Sequence, residues 1–219
     1  MRMERKMANP RIYGLYAITP DLQEFDLYSD HTRSILAQGA QVLQYRNKCA
    51  TPAQKLEQAG ILRLWCSQSG SLFIVNDDIN LALAVNADGV HLGSKDVSLT
   101  DARRKLGPHK LIGISCYNLI DRAHEAEAKG ADYVAFGSFF PSQTKPAAQP
   151  APLSLLTTAR IKLKIPIVAI GGITPQNGKK LVEAGANALA VLHALYSSPD
   201  PATSARSFSE LFNLESLPT

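Results

Sequence analysis

Eight short apolar runs, most of them rich in β-branched residues, alternate with segments of helical spacing along this chain. This alternation limits the fold more than any other feature, because a strand followed by a helix and another strand pairs in parallel through a right-handed crossover. The runs cover residues 13–18, 42–45, 72–75, 89–92, 111–114, 133–136, 167–170 and 188–192. Helical spacing is clearest at 29–38, 52–68, 119–129 and 175–184. We therefore predict an α/β protein, a single (β/α)8 TIM barrel.

The length of 219 residues favours one domain with a substantial core. Residues 1–10 are basic and lack the apolar centre of a signal peptide, so we expect a disordered leader there. Residues 11–219 are then the barrel and catalytic domain. No apolar stretch is long enough to span a bilayer, and we expect no membrane partner. Three cysteines without metal-ligand spacing indicate reduced thiols and a cytoplasmic location.

The formal charge of +4 comes from scattered Lys and Arg residues. No basic stripe alternates with aromatic residues, so nucleic acid is not an expected partner. A modest positive charge instead suits small anionic substrates. Whether the chain forms a homo-oligomer stays open at this point.

One short pattern precedes four of the predicted strands: Gly or Asn, then Ala, then a polar residue. Its copies begin at Gly39, Asn86, Gly130 and Gly185. Gly and Asn tolerate the left-handed conformation that closes a helix. We interpret the copies as helix-to-strand joints, which leaves function to the opposite, carboxyl ends of the strands.

Polar residues alternate along the end of the second predicted strand, with a spacing of two. Gln44, Arg46 and Lys48 alternate there, and the period of a strand sends all three side chains to one side. Gln and Arg seldom occur together in a strand unless that side faces a polar site. A salt-bridged layer at the barrel mouth is the alternative, but binding of a diphosphate explains the row better.

Two acids, Asp77 and Asp96, end neighbouring strand units. Mg²⁺ is commonly held by one or two carboxylates together with phosphate oxygens and water. The alternative is that each acid caps the helix that follows. We favour the metal for Asp77 and Asp96, and helix capping for Asp78 and Asn80.

Two later segments are typical of phosphate binding. Gly171-Gly172 turns from a strand into a helix, where backbone N–H groups and the helix dipole favour an anion, although a tight turn alone would also require glycine. The proline-rich segment 141–152 carries Thr144-Lys145, and we expect a mobile loop over the active face. His193 could face the phosphate, whereas His91 is expected to be a hydrogen-bonded core histidine.

Taken in order, these residues resemble the thiamine-phosphate synthase family over nearly the whole chain, from about Leu15 to Pro201. The resemblance rests on an ordered set of motifs: Gln44-Tyr-Arg-Asn-Lys48, Val75-Asn-Asp77, Asp88-Gly-Val-His-Leu-Gly93 with Asp96, Ile112-Gly-Ile-Ser115, and the segments 130–137, 140–146 and 168–173. No one motif is decisive, but the set is specific.

The resemblance implies a transferase that joins a hydroxymethylpyrimidine diphosphate to a thiazole phosphate, giving thiamine monophosphate and diphosphate. By carry-over, the pyrimidine diphosphate would contact Gln44, Arg46, Lys48, Asn76, Ser115 and Lys145. The thiazole phosphate would contact Ser142, Thr144, Gly172, Leu192 and His193. Mg²⁺ would be the cofactor, held by Asp77 and Asp96. Charge on the leaving diphosphate would be offset by Mg²⁺, Arg46, Lys48 and Lys145, and Ser115 would be a further catalytic residue in contact with the diphosphate.

The chain departs from the family pattern at His193, where a serine is common, and at Ser142, where threonine is usual. Two other activities stay open. A thiazole tautomerase-like isomerase would need an acid–base residue at the end of the fifth strand, where Ser115-Cys116-Tyr117 stands. A non-catalytic sensor of thiamine precursors would keep the phosphate sites without turnover.

Overall fold

The computed structural model of the chain describes residues 12–21, 25–141 and 150–212. Within these ranges eight strands alternate with helices. The strands are β1 (Gly14–Ile18), β2 (Val42–Tyr45), β3 (Leu72–Asn76), β4 (Gly89–Leu92), β5 (Leu111–Tyr117), β6 (Tyr133–Phe136), β7 (Ile167–Ile170) and β8 (Ala188–Val191). The helices are α1 (Phe25–Ala37), α2 (Pro52–Ser69), α3 (Ile79–Ala84), α4 (Leu99–Leu106), α5 (Ile120–Ala128), α6 (Ser154–Lys162), α7 (Pro175–Glu183), α8 (His193–Tyr196) and α9 (Pro201–Glu210).

The eight strands form a closed parallel barrel in chain order, and β8 pairs with β1 to complete it. The predicted (β/α)8 barrel is confirmed, and four of the eight predicted strands have the observed bounds. The largest difference is β5, which was expected to end at residue 114 and continues to Tyr117. Its register against β6 shifts between Ser115 and Tyr117, so the end of this strand is an irregular extension that apolar patterning does not reveal.

The core has two layers because alternate residues of each strand point to opposite sides of the barrel wall. In β3, Leu72 and Ile74 pack inside the barrel, whereas Phe73 and Val75 pack against the outer helices. Space inside is limited: a Cβ atom at Gly113 would lie 2.0 Å from the Tyr133 ring. Glycine in β5 therefore makes room for a buried tyrosine in the barrel interior.

The four repeated joints lie at the amino ends of the strands, as predicted. The first residue of each copy has a positive φ angle, from 50° at Asn86 to 117° at Gly185. In three copies the polar residue also accepts a hydrogen bond from a backbone N–H in the first two residues of the preceding strand: Asp88 from Phe73 at 2.8 Å, Asp132 from Ile112 at 2.9 Å and Asn187 from Ile167 at 2.9 Å. These side chains link neighbouring strands at the amino end of the barrel.

The predicted leader, residues 1–10, lies outside the described residues, so the domain boundaries stay a prediction. Across the described ranges no helix combines the length and the apolar character that a membrane crossing needs.

Candidate active site

A cavity of about 790 Å³ opens at the carboxyl ends of the barrel strands. Ten of the thirteen candidate residues line it: Gln44, Arg46, Lys48, Asn76, Asp77, Asp96, Ser115, Gly172, Leu192 and His193. They come from six different strand ends, so closure of the barrel is what places them around one space. The other three candidates, Ser142, Thr144 and Lys145, lie outside the described residues.

The polar row that begins within β2 has the expected alternation. Gln44, Arg46 and Lys48 all line the cavity, although the strand itself ends at Tyr45. The residues between them turn the other way: the Tyr45 hydroxyl and the Asn47 side-chain amide both donate to Gln58 Oε1 of α2, at 2.8 and 3.1 Å. Two cations therefore enter the cavity from a single extended segment.

The two carboxylates meet at the mouth of β3 and β4. Asp96 Oδ2 accepts a hydrogen bond from the Gly93 N–H at 2.6 Å, and the Asp77 side chain is close enough to hydrogen-bond with Asp96. Burial, and then the hydrogen bond and negative charge of Asp96, raise the pKa of Asp77 to about 6, while Lys48 acts in the opposite direction. A pair of acids that repel one another in this way has the chemistry of an incomplete cation site.

Asp77 also has an uncommon backbone conformation, with φ at 62°. Aspartate tolerates this left-handed region better than most residues, because its short side chain can hydrogen-bond locally. Its neighbour Asp78 has the capping role that was predicted for it, since Asp78 Oδ1 accepts from the Leu81 N–H at 2.9 Å at the start of α3. The same prediction is wrong for Asn80, which lies inside the first turn of α3.

A chain of buried polar groups crosses the cavity floor, and the sequence analysis missed most of it. Gln44 Nε2 donates to the Tyr16 hydroxyl at 2.8 Å, and that hydroxyl lies 2.9 Å from the hydroxyl of Tyr133. His91 continues the chain, with Nδ1 3.2 Å from the Tyr133 hydroxyl and Nε2 2.9 Å from Ser115 Oγ. Strand parity was the available signal: Val90 and Leu92 face the helices, so His91 between them must face the barrel interior.

His91 is hydrogen-bonded through both ring nitrogens, as expected of a core histidine, but it also lines the cavity. Tyr117 is a second omission. It has a φ of 55° at the irregular end of β5, and its hydroxyl lies 2.9 Å from Ser94 Oγ at the cavity rim.

The glycine turn after β7 forms the opposite wall of the cavity. Gly171 and Gly172 have φ angles of 105° and 61°, and a Cβ atom on Gly172 would lie 2.3 Å from the Pro141 carbonyl oxygen. Close packing is thus sufficient reason for glycine here. The same turn leads into α7, whose first turn is closed by a capping box between Thr174 and Asn177. Backbone N–H groups at the start of a helix are a suitable environment for a phosphate.

His193 begins α8 beside this turn. Its Nδ1 lies 3.0 Å from Ser197 Oγ, and the residue lines the cavity together with Leu192. The structure thus brings His193 next to the glycine turn, and it gives the imidazole a partner within its own short helix.

Comparison with known proteins adds independent findings. Residues 15–195 match the model of a family described as thiamine monophosphate synthase. The chain is 50% identical over 202 residues to a thiamine-phosphate synthase of Azoarcus sp. (strain BH72), covering 92% of this chain and 98% of that protein. It is 49% identical over 204 residues to one from Methylobacillus flagellatus, covering 93% and 97%. A solved structure, thiamine phosphate pyrophosphorylase from Pyrococcus furiosus, superposes with a TM-score of 0.84 at 34% identity, covering 93% of this chain and 98% of that one.

Proposed function

The chain belongs to the thiamine monophosphate synthase family, and from that membership we propose that its cavity joins the two halves of thiamine phosphate. It is a transferase with thiamine-phosphate synthase function. The proposed substrates are 4-amino-5-hydroxymethyl-2-methylpyrimidine diphosphate and 4-methyl-5-(2-phosphoethyl)thiazole. The observation that carries this assignment of substrates is the meeting of two cations, two carboxylates and a glycine turn around one cavity.

The pyrimidine diphosphate is placed on the side of β2, β3 and β5. Arg46 and Lys48 supply positive charge, and Asn76 and Ser115 supply hydrogen-bonding groups on the same cavity wall. A guanidinium binds phosphate oxygens through two parallel N–H donors, whereas an ammonium acts as a point charge. Gln44 and the polar chain behind it would contact the flat, nitrogen-rich pyrimidine ring at the cavity floor.

The residues present fit a divalent cation. Burial, and after it the hydrogen bond and negative charge of Asp96, raise the pKa of Asp77, and a shared positive charge would relieve the repulsion between the two carboxylates. Among the described residues no group of three or more His, Cys, Asp or Glu side chains could hold a metal, and Mg²⁺ does not need one, because it takes substrate phosphates and water as further ligands. We propose that Asp77 and Asp96 hold Mg²⁺, which would neutralise negative charge on the diphosphate.

The chemical work of the side chains is electrostatic. Loss of diphosphate leaves a pyrimidinylmethyl cation, which the electron-rich aminopyrimidine ring stabilises. Arg46 and Lys48 offset the charge that grows on the leaving group, and Ser115 donates a hydrogen bond to it. The thiazole nitrogen attacks with its own lone pair, so the reaction needs no general base. Lys145, outside the described residues, is proposed to add a third cation.

The thiazole phosphate is placed against the glycine turn. Gly172 lines the cavity at the turn into α7, where a backbone N–H would bind the phosphate, and the segment Leu192-His193 lines the same cavity. Ser142 and Thr144, both outside the described residues, are proposed as further contacts. This arrangement puts the two phosphate groups on opposite walls, with the reacting atoms of the two rings between them.

The family membership favours the synthase over both alternatives. A tautomerase-like isomerase would need an acid–base residue at the end of β5, where Ser115, Cys116 and Tyr117 lie. A precursor sensor would have no need for the acid pair, which destabilises the metal-free site. We also propose a cytoplasmic location, since all three cysteines are free thiols.

The test is to mix the purified protein with both substrates, in Mg²⁺ or in EDTA, and to follow thiamine monophosphate by mass spectrometry. We expect product only with Mg²⁺ and only when both substrates are present. Calorimetry on the same samples supplies the control. Binding of both substrates without product would support the sensor, and product formed equally well in EDTA would overturn the metal assignment.

A further inference from the structure

The segment that carries Arg46 and Lys48 stays extended after β2 has ended. Backbone pairing between β1 and β2 finishes at Ile18 and Gln44, followed by one hydrogen bond from the Thr19 N–H to the Gln44 carbonyl at 3.0 Å. Beyond this point the Arg46 N–H bonds to the side-chain oxygen of Thr19 rather than to a backbone carbonyl, so the regular backbone ladder has ended. Another interaction must hold the two cationic residues in line with the strand.

The side chain of Thr19 takes over the pairing. Its hydroxyl accepts a hydrogen bond from the Arg46 N–H at 2.9 Å and donates one to the Arg46 carbonyl at 3.0 Å. One hydroxyl thus satisfies both backbone groups of Arg46, as a residue of a neighbouring strand would. Thr19 is 0% exposed, so neither bond competes with water.

Asp21 provides the next link, two residues further along. Its Oδ1 accepts from the Lys48 N–H at 2.8 Å and from Arg46 Nη1 at 3.0 Å. The backbone of one cation and the side chain of the other therefore converge on a single carboxylate oxygen. Burial acts to raise the pKa of Asp21, but the hydrogen bond from the Lys48 backbone and the charge of Arg46 outweigh it and lower that pKa.

The exposure of this ion pair argues against a role in stability alone. The side chains of Arg46 and Asp21 are 19% and 37% exposed, and exposed ion pairs add little to the free energy of folding. The geometry of the pair matters more than its contribution to stability. Asp21 restrains one guanidinium N–H group of Arg46, while the Arg46 side chain still lines the cavity. Asp21 itself does not line the cavity.

We infer that Thr19 and Asp21 are positioning residues, which extend the β1–β2 pairing through their side chains and so hold Arg46 and Lys48 against the diphosphate. The inference rests on the proposed function, since it assumes that these two cations bind the diphosphate. Neither residue needs to touch the substrate, and their effect should be confined to one of the two substrates.

The test compares matched variants by their affinity for inorganic diphosphate in Mg²⁺ and by the KM for each substrate. Thr19→Val removes both hydrogen bonds at nearly constant volume, and Thr19→Ser keeps the hydroxyl. Thr32→Val is the control, because Thr32 is as deeply buried, does not line the cavity and makes two hydrogen bonds, one to the Tyr28 carbonyl within α1 and one to the Tyr196 hydroxyl of α8. Asp21→Ala and Asp21→Asn separate the loss of the acceptor from the loss of charge.

We expect Thr19→Val and Asp21→Ala to weaken diphosphate binding about tenfold, and to raise the KM for the pyrimidine diphosphate similarly, as the loss of two hydrogen bonds would do. Asp21→Asn should cost about threefold, since an amide oxygen still accepts from Lys48. Thr19→Ser, and the KM for the thiazole phosphate in every variant, should change less than about twofold.

Two results would overturn the inference in distinguishable ways. If Arg46→Ala and Lys48→Ala weaken diphosphate binding but Thr19→Val and Asp21→Ala affect it no more than Thr32→Val, the positioning role is wrong and the proposed function stands. If Arg46→Ala and Lys48→Ala leave diphosphate binding unchanged, the placement of the diphosphate is wrong as well. If Thr19→Val fails to fold, the Asp21 pair decides the matter alone, because that side chain is partly exposed.

Discussion

The two ends of the barrel use the same residue type in opposite ways. At the amino end, Asp132 accepts hydrogen bonds from the Ile112 N–H at 2.9 Å and from Arg103 Nη2 at 2.5 Å, so its charge is paired. At the carboxyl end, Asp77 faces another carboxylate, that of Asp96, and its pKa is raised. Asp132 at the amino end is thus neutralised within the protein, whereas the Asp77 and Asp96 pair at the carboxyl end is left in need of a positive charge.

This difference shows how one scaffold separates stability from chemistry. Charge that is satisfied within the protein contributes to the free energy of folding, whereas charge that is left unsatisfied in a cavity is available to a ligand. Mutation of Asp132 at the amino end should therefore change the free energy of unfolding, whereas mutation of Asp77 at the carboxyl end should change turnover.

The largest expected effect is at the amino end. Asp132→Ala would leave the buried Ile112 N–H without its acceptor and Arg103 without its ion pair, and we expect a loss of about 3 kcal/mol in the free energy of unfolding. Urea denaturation measures this loss. Asp132→Asn, which keeps an acceptor for Ile112, should lose about 1 kcal/mol.

The folded fraction of each Asp132 variant should have the kcat of the wild type, since Asp132 is at the far end of the barrel from the cavity. A fall of kcat in proportion to the lost stability would contradict the separation of the two ends.

The second effect is at the carboxyl end. Asp77→Asn should reduce turnover at least about a hundredfold, equivalent to about 2.7 kcal/mol of transition-state stabilisation, because a carboxylate is lost from the proposed Mg²⁺ site. Asn also tolerates the positive φ angle of this position, so the backbone is preserved. Steady-state kinetics at saturating Mg²⁺ measures the change.

The free energy of unfolding of Asp77→Asn should not fall along with its turnover. Because the pKa of Asp77 is raised to about 6, its contribution to folding is present below the unfolded-state value of about 3.9 and is lost as the pH rises through 6. In metal-free buffer at pH 7, Asp77→Asn should therefore be at least as stable as the wild type.

Asp78→Ala is the matched control: it removes a helix cap worth about 1 kcal/mol and should leave turnover unchanged. The metal assignment would fail if Asp77→Asn kept near-normal rates.

The smallest expected effect is that of His193, which also lies at the carboxyl end of the barrel. His193→Ser should change the KM for the thiazole phosphate less than about threefold, because backbone N–H groups near the glycine turn are proposed to hold that phosphate. The imidazole already has a partner in Ser197. Kinetics with the thiazole phosphate as the varied substrate measures the change, and a tenfold rise in KM would instead show that the imidazole binds the phosphate directly.

Local patterns were enough to predict the barrel and most of its elements. Short continuous apolar runs place the strands, and the left-handed residues at Gly39, Asn86, Gly130 and Gly185 mark the joints. The alternation of Gln44, Arg46 and Lys48 also follows from strand geometry alone. These features depend on neighbours in the sequence, so the sequence displays them directly.

Other features depend on residues that are distant in the chain. The inward direction of His91 matters only because Tyr133 and Ser115 reach it from β6 and β5, and the role of Thr19 is visible only beside Arg46, 27 residues later. The raised pKa of Asp77 likewise depends on its burial in the folded barrel and on Asp96, which lies close to it.

For this protein the sequence alone determined the fold class, the end of the barrel that carries the chemistry and, through the resemblance of its motifs, the family. The tertiary structure decided which polar groups share a cavity, which acids are paired and which are not, and what holds the cationic segment in place. The physical reason is that backbone period and turn preference are local, whereas hydrogen-bond partners and electrostatic neighbours are set by closure of the barrel.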